Sequence, residues 1–383
     1  MCPNTTTTTT TTGSLVSLCS KHVHALFIPR LVPLSLSTNL LKAMIACVSS
    51  HSVRTASMGI LFWHKFLSTI SNKIGTKEDV AFRTQIAQQC AANLLRAFAS
   101  KLCVHTSVSV DSWMEKDFLD LDEYLQFSTS FRGELLMSMG IIASIQPLVS
   151  VQHLQWLASQ HISSPQDASL YAVMSRSFES CIPRLNFAEA NKPVLSAGTS
   201  MVRAFVDLTK RTLMSATFDP RRPNCYVKCL GSFETHFAHD TFRSLLIPLV
   251  AFLLDCLSKG CPSESVLKDW RTMRRTIGNL LVSVSRKHEA LFRPSFNDLC
   301  KRVAQLTRLG HFDAEERGML YQTLTHLEQR AEFLSQILQA PLTDWRCEIF
   351  VRSTKSVQAF ANFVRDVPSI QKNTLEHFAF HNT

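Results

Sequence analysis

The sequence predicts an all-α fold, an α-solenoid of stacked antiparallel helix pairs, and three observations support it. Apolar residues recur at i, i+3, i+4 and i+7, which is the pattern of helices that bury one face. The breaks between these segments are short and polar, and no long strand-like alternation occurs. Finally, the helical segments return as pairs at intervals of roughly 40 residues, the period typical of HEAT and armadillo repeats.

The apolar stripes begin near residue 40. Clear examples span residues 40–48, 58–70 and 80–98, and each has the helical spacing. From residue 224 onward the lengths become regular, with helices predicted over residues 224–238, 241–258, 263–288, 291–309 and 313–338. Two of these have a start signal. Ser263 precedes Glu264, and Asp313 precedes Glu315 and Glu316, so each start has an oxygen acceptor or a negative charge where the helix N-terminus favours one.

The predicted organisation has three parts. Residues 1–20 form a disordered, Thr-rich leader without the basic and apolar regions of a signal peptide. Residues 21–365 form the helical array, and residues 366–383 are an unplaced tail. The most apolar run, residues 245–257, is interrupted by Pro248 and Asp255 and is too short to span a bilayer. Twelve cysteines stand singly, a pattern typical of reduced thiols.

Positive charge is concentrated in one part of the chain. The formal net charge is +10. Residues 268–308 hold ten Lys and Arg against three acids, so 10 − 3 = +7 of that charge lies in this window. Such a concentration indicates an anionic partner, most simply nucleic-acid phosphate. The alternative is a solvated helix face.

Five residues in this window are candidates for RNA binding. Arg271, Arg274 and Arg275 follow i, i+3, i+4 spacing, which predicts three guanidiniums on one helical face. Arginine is suited to phosphate because it stays charged and binds it bidentately. Arg286 and Lys287 lie further along the same helix, where capping of the helix end is the alternative role. The adjacent tryptophan at position 270 is expected to anchor the core rather than to stack on a base.

Metal and catalytic sites are disfavoured. Cys225, Cys229, His236 and His239 are all metal-ligand types. They lack the tight CxxC knuckle of structural zinc sites, so buried thiols and ordinary histidines are the preferred interpretation. The sequence contains no GxSxG, HExxH, GxGxxG or Gly-rich phosphate loop. We therefore expect no enzyme activity and no cofactor.

Several stretches resemble one family. WRTMRRTIGNLLVSVSRKHEALFRPSFNDLCKRVAQL (residues 270–306) is similar, without a gap, to a helix pair in the middle of the exportin-5 family of karyopherin nuclear export receptors. FDAEERGMLYQTL (312–324) and AEFLSQILQAPLTDW (331–345) resemble the family's next pair. The resemblance spans residues 40–364 and is specific over 218–345. It corresponds to the middle of longer family members, so we expect a truncated product or a fragment, without the amino-terminal repeats that contact Ran and without the carboxy-terminal repeats.

The resemblance implies a function. Family members carry double-stranded small-RNA precursors, in complex with Ran bound to GTP, from nucleus to cytoplasm, and contact with nuclear pore proteins is also implied. They grip the RNA stem through its backbone, as expected for A-form RNA, and hold the 3′ overhang in a basic tunnel. The tunnel's arginine corresponds to Arg274 or Arg275. Between residues 327 and 331 the chain lacks part of the corresponding loop of the family, and that loop lies near the site of the 3′ overhang. A HEAT scaffold for protein cargo is the alternative function. No membrane insertion is expected.

Overall fold

The computed structural model describes residues 34–50, 52–107, 121–163, 168–187, 192–213, 219–261, 263–309 and 311–325. All regular secondary structure in these ranges is helical, and no strand occurs among them. The all-α prediction is confirmed. None of the described helices is long and apolar enough to cross a membrane.

The described residues form α-helices, and several of the described connections between them are 3₁₀ turns. The bounds of the helices are α1 Leu34–Val48, α2 Val53–Ser71, α3 Lys77–Ser107, α4 Leu121–Ile145, α5 Pro147–Ser163, α6 Ala168–Cys181, α7 Lys192–Leu213, α8 Arg221–Gly231, α9 Asp240–Leu257, α10 Leu267–Lys287, α11 Glu289–Phe292, α12 Phe296–Thr307 and α13 Ala314–Thr325. The chain forms two compact units that divide between Phe242 and Arg243. This division lies inside the array predicted over residues 21–365.

In the first unit, helices two apart along the chain pack side by side. Helices α2, α4, α6 and α8 form one layer, and α1, α3, α5 and α7 form the other. The contacts fix the direction of packing. In α4 and α6, Ser180 donates to the Leu136 carbonyl and the Cys181 thiol contacts the Met139 carbonyl. Higher numbers in one helix therefore meet higher numbers in the other, so these two helices are parallel.

The same stacking continues from α6 to α8. Cys225 Sγ donates to the Tyr171 carbonyl at 3.2 Å, and His236 Nε2 lies 2.8 Å from the Ile182 carbonyl. Along α4, α6 and α8 these bonded residues lie 42 to 54 positions apart. That separation is one repeat of two helices, as the helical spacing predicts.

The second unit repeats the arrangement with α9 against α12 and α10 against α13. Arg302 Nη1 of α12 lies 3.1 Å from Asp255 Oδ1 of α9, and His311 Nε2 lies 3.3 Å from the Leu257 carbonyl. These pairs are 47 and 54 positions apart. Helices α10 and α13 pack closely where Gly278 faces Met319, because a side chain at position 278 would meet the methionine sulfur at 2.7 Å.

Helix boundaries differ from the predictions at turns. The helix predicted over 224–238 ends at Gly231 and continues as a 3₁₀ turn, Glu234–Ala238. The helix predicted over 291–309 is instead α11, a 3₁₀ turn and α12, because Pro294 has no N–H for the helical ladder. The predicted leader, the tail and the shortened loop at 327–331 lie outside the described residues.

Candidate nucleic-acid interface on helix α10

Helix α10 has one buried and one basic face. Its core side is apolar and includes the indole of Trp270, which is 2% exposed and so serves as the expected core anchor. The opposite side carries exposed cations, which we call the basic stripe: Lys268, Arg271, Arg275 and Arg286. At 3.6 residues per turn these four lie within an arc of about 60° and extend along about 27 Å of the helix axis. Lys287 is also exposed but projects about a quarter turn away.

Arg274 does not belong to this exposed face. Its side chain is 2% exposed, and its Nε donates to Glu316 Oε1 of α13 at 2.8 Å. The guanidinium carbon also lies 5.2 Å from the centre of the Phe312 ring, within cation–π range. A phosphate in solvent does not reach a guanidinium held in this way. The face of three guanidiniums predicted from spacing is therefore reduced to Arg271 and Arg275.

Glu316 is held by a capping box at the start of α13. Its backbone N–H donates to Asp313 Oδ1 at 2.8 Å, and its own Oε2 accepts from the Asp313 backbone N–H at 3.0 Å. This reciprocal arrangement satisfies two donors at the helix N-terminus. The start signal read at Asp313 is thus confirmed. Ser263, by contrast, makes no side-chain cap bond and instead contacts the Ser265 hydroxyl at 2.8 Å.

Arg275 lies at the surface beside the same capping box. Its Nη2 is 2.7 Å from Glu315 Oε2 and 3.3 Å from Asp313 Oδ2. The arginine side chain is 45% exposed, and the two carboxylate side chains are 33% and 44% exposed. Exposed ion pairs of this kind contribute about 0 to 1 kcal/mol, whereas separating a buried pair costs about 3 to 5 kcal/mol. The Arg275 pairs are exchangeable, and the Arg274 pair is structural.

The remaining cations of the window are partly offset by acids. Arg293 Nη2 contacts Glu289 Oε1 at 2.5 Å, Arg302 contacts Asp255, and Lys301 lies 4.0 Å from Asp298. Within the described part of the chain, Lys268, Arg271, Arg286 and Arg308 have no ion-pair partner. The charge open to a partner is therefore concentrated on the basic stripe. Arg286 and Lys287 end α10, where the helix dipole favours cations.

The four cysteines and histidines of the first unit that could ligate a metal contact protein groups instead. Cys225 donates to the Tyr171 carbonyl, and His236 bonds to the Ile182 carbonyl. Cys229 is buried next to Cys225, and burial raises the pKa of its thiol well above the usual value. His239 Nδ1 accepts from the Thr241 backbone N–H at 3.2 Å. Burial also lowers the pKa of His236, whose bond to Ile182 links the 3₁₀ turn after α6 to the turn after α8.

A family model decides the identity of this fold. The model of the Exportin-5 family matches residues 9–377, which is most of the chain. The chain belongs to the Exportin-5 family. The resemblance noted at residues 270–306 and 312–324 is confirmed, and with it the α-solenoid of HEAT-like pairs that the exportin repeats form. A direct comparison with individual curated proteins gives no match.

Exportin-5 family membership sets the general role. The family consists of nuclear export receptors, which move cargo between nucleus and cytoplasm and are not defined by catalysis. Within it, the second unit presents a basic stripe on α10, bordered by the acidic start of α13. The sequence reading missed that border: Glu316 buries Arg274, and Glu315 and Asp313 hold Arg275. The capping box Asp313-x-x-Glu316 is a local pattern that the sequence shows, but the pairing of Glu316 with Arg274, 42 positions away, is not local.

Proposed function

We propose that this exportin-5 family chain binds double-stranded small-RNA precursors through the basic stripe of α10, together with Ran bound to GTP, for transport from nucleus to cytoplasm. The observation that carries the proposal is the stripe itself, a row of exposed cations along about 27 Å of one helix in a family of nuclear export receptors. A-form RNA offers side chains a narrow major groove, so recognition through phosphates and shape is the expected mode.

The stripe matches this mode in both spacing and chemistry. Lys268 and Arg271 lie one turn apart, and Arg275 follows after a further turn, so these three cations are about 5 Å apart along the axis, and Arg286 lies about 16 Å further on. Arginine donates to phosphate in a fork and stays charged at every physiological pH. Of the five residues first considered, Arg271, Arg275 and Arg286 lie on the stripe, and Lys287 is exposed beside it at the end of α10. Arg274 supports the stripe from beneath by fixing α10 to α13.

Fluorescence anisotropy with a labelled RNA stem carrying a 3′ overhang tests the proposal. We expect the double variant Arg271→Glu, Arg286→Glu to weaken binding at least tenfold, because two attractive contacts become repulsive. The matched control is Lys77→Glu with Arg203→Glu, which makes the same change in charge at exposed positions of the first unit. Equal loss in both variants would show that only net charge matters and would reject the stripe as the site.

The partnership with Ran is tested by linkage. If RNA and Ran–GTP bind one complex cooperatively, each must raise the affinity of the other by the same factor. We expect Ran–GTP, and not Ran–GDP, to tighten RNA binding by this chain. An RNA dissociation constant that is unchanged by saturating Ran–GTP would remove Ran from the proposal while leaving RNA binding intact.

A scaffold for protein cargo is the second candidate, and one surface feature favours it. Met137 of α4 and Trp156 of α5 are 59% and 42% exposed. The two helices are joined by Gln146 alone, and these side chains lie at similar distances from it on either side. Large exposed apolar side chains at one level of a helical hairpin are typical of protein contacts. Under this function, RNA affinity would be weak and insensitive to the stripe variants.

A further inference from the structure

The acidic start of α13 lies directly against the basic stripe of α10. Arg275 is the one member of the stripe that contacts a carboxylate in the described residues, and it contacts two: Glu315 at 2.7 Å and Asp313 at 3.3 Å. Lys268, Arg271 and Arg286 have no such partner among the residues described. The stripe is therefore divided into cations that are open to an anion and one cation that is already engaged.

We propose that Glu315 competes with the RNA backbone for Arg275 and so limits the affinity of the stripe. This inference rests on the proposed RNA binding. The Nη2 of Arg275 is shared by both carboxylates, Glu315 Oε2 at 2.7 Å and Asp313 Oδ2 at 3.3 Å. A phosphate that binds this Nη2 competes with Glu315, because the two oxygens would otherwise lie side by side with like charge.

The burial of the groups makes this exchange possible at Arg275 and at no other arginine of the network. Glu315 and Arg275 are 44% and 45% exposed, so water and ions screen their attraction and either side chain can turn away. The neighbouring Arg274 and Glu316 are 2% and 3% exposed and cannot separate without leaving a buried charge. The fixed pair holds the position of the exchangeable one.

The two acids differ in what they do for the helix. Asp313 accepts from the Glu316 backbone N–H and thereby caps α13, whereas no such cap bond involves the Glu315 carboxylate among the described contacts. Glu315 can thus be neutralised without removing the cap. Its neutralisation leaves Arg275 with the more distant Asp313, and the arginine becomes available to phosphate. Glu315→Gln is therefore the informative change.

A double-mutant cycle in RNA binding tests the competition. Dissociation constants for a labelled RNA stem are measured at one low ionic strength for wild type, Glu315→Gln, Arg275→Ala and the double variant. We expect Glu315→Gln to tighten binding by about two- to fivefold, the range that an exposed ion pair represents. In the Arg275→Ala background, Glu315→Gln should have a smaller effect, because the guanidinium for which Glu315 and phosphate compete is absent.

Glu264→Gln is the matched control, since it removes one exposed negative charge just before α10 without a described ion pair to the stripe. Equal tightening by Glu264→Gln and Glu315→Gln, or the same effect of Glu315→Gln with and without Arg275, would overturn the inference and leave RNA binding by the stripe intact. No binding of RNA by any of these proteins, wild type included, would overturn the proposed function and this inference together.

Discussion

Arg274 of α10 donates its Nε–H to Glu316 of α13 at 2.8 Å, and both side chains are almost entirely buried. The two residues are 42 positions apart, so the bond joins equivalent helices of successive pairs. Phe312 lies against the same guanidinium, and Asp313 caps the helix to which Glu316 belongs. This network sets the register of α10 on α13 and thereby the direction in which the basic stripe faces.

Loss of one partner of this bond should destabilise the second unit. Arg274→Met leaves the Glu316 carboxylate buried without its cation, and we expect a loss of about 3 to 5 kcal/mol in the free energy of unfolding. The double variant Arg274→Met, Glu316→Gln should be more stable than the single one, because it buries no unpaired charge and keeps an oxygen for the Asp313 N–H. Urea unfolding followed by circular dichroism gives both values. A double variant less stable than Arg274→Met would contradict this account.

Acid should weaken the first unit through His153. The ring is 6% exposed, and burial, followed by the nearby charge of Arg96, lowers its pKa from 6.5 to about 4. Between pH 6.5 and about 4, the unfolded chain therefore binds a proton at His153 and the folded chain does not. The free energy of unfolding is highest above pH 6.5 and falls as the pH decreases toward 4. The full effect of this one group is about 3 kcal/mol.

The measurement is the free energy of unfolding at pH 7 and pH 4.5 for wild type and His153→Phe. Phenylalanine keeps a ring at this position, where His153 stacks on Trp156 with centroids 5.6 Å apart, and it does not titrate. We expect the difference between the two pH values to shrink in the variant. The same acid-dependent loss in both proteins would assign it to other groups.

Two helical glycines should respond in opposite directions to the same substitution. A side chain at Gly59 would meet the Val48 backbone nitrogen at 2.8 Å, so Gly59→Ala must push α1 away from α2 and destabilise the first unit. Gly133 of α4 faces open space, and Gly133→Ala should stabilise by about 0.5 to 1 kcal/mol through the lower chain entropy of alanine. Thermal unfolding of the two variants gives the signs, and a stabilising Gly59→Ala would show that the helices are not packed this closely.

The sequence predicted the fold better than it predicted the site. Apolar periodicity identifies helices reliably because each must bury a continuous stripe, and the Asp313 cap was readable because its partner lies three residues away. Spacing alone placed Arg274 beside Arg271 and Arg275. Whether an arginine faces water or a buried carboxylate depends on a helix one repeat later, and no local pattern around residue 274 contains Glu316.

The two boundary errors have different causes. The helix expected over 291–309 contains Pro294, which lacks the N–H that the helical ladder needs, and this effect is local. The turn after Gly231 depends instead on packing, since Phe233 is fully buried against Phe187 and Phe242, and Phe237 is also fully buried. The end of α8 at Gly231 therefore follows from contacts between residues distant in sequence and not from helical propensity.

The salt dependence of RNA binding tests the central claim, that phosphate is bound by the exposed stripe of α10. The logarithm of the association constant is plotted against the logarithm of salt concentration for wild type, for Arg271→Ala with Arg286→Ala, and for the control pair Lys77→Ala with Arg203→Ala. Because each lost phosphate contact reduces the slope by about 1, we predict a slope shallower by about 2 in the stripe variant and unchanged in the control. Parallel lines for all three proteins would contradict it.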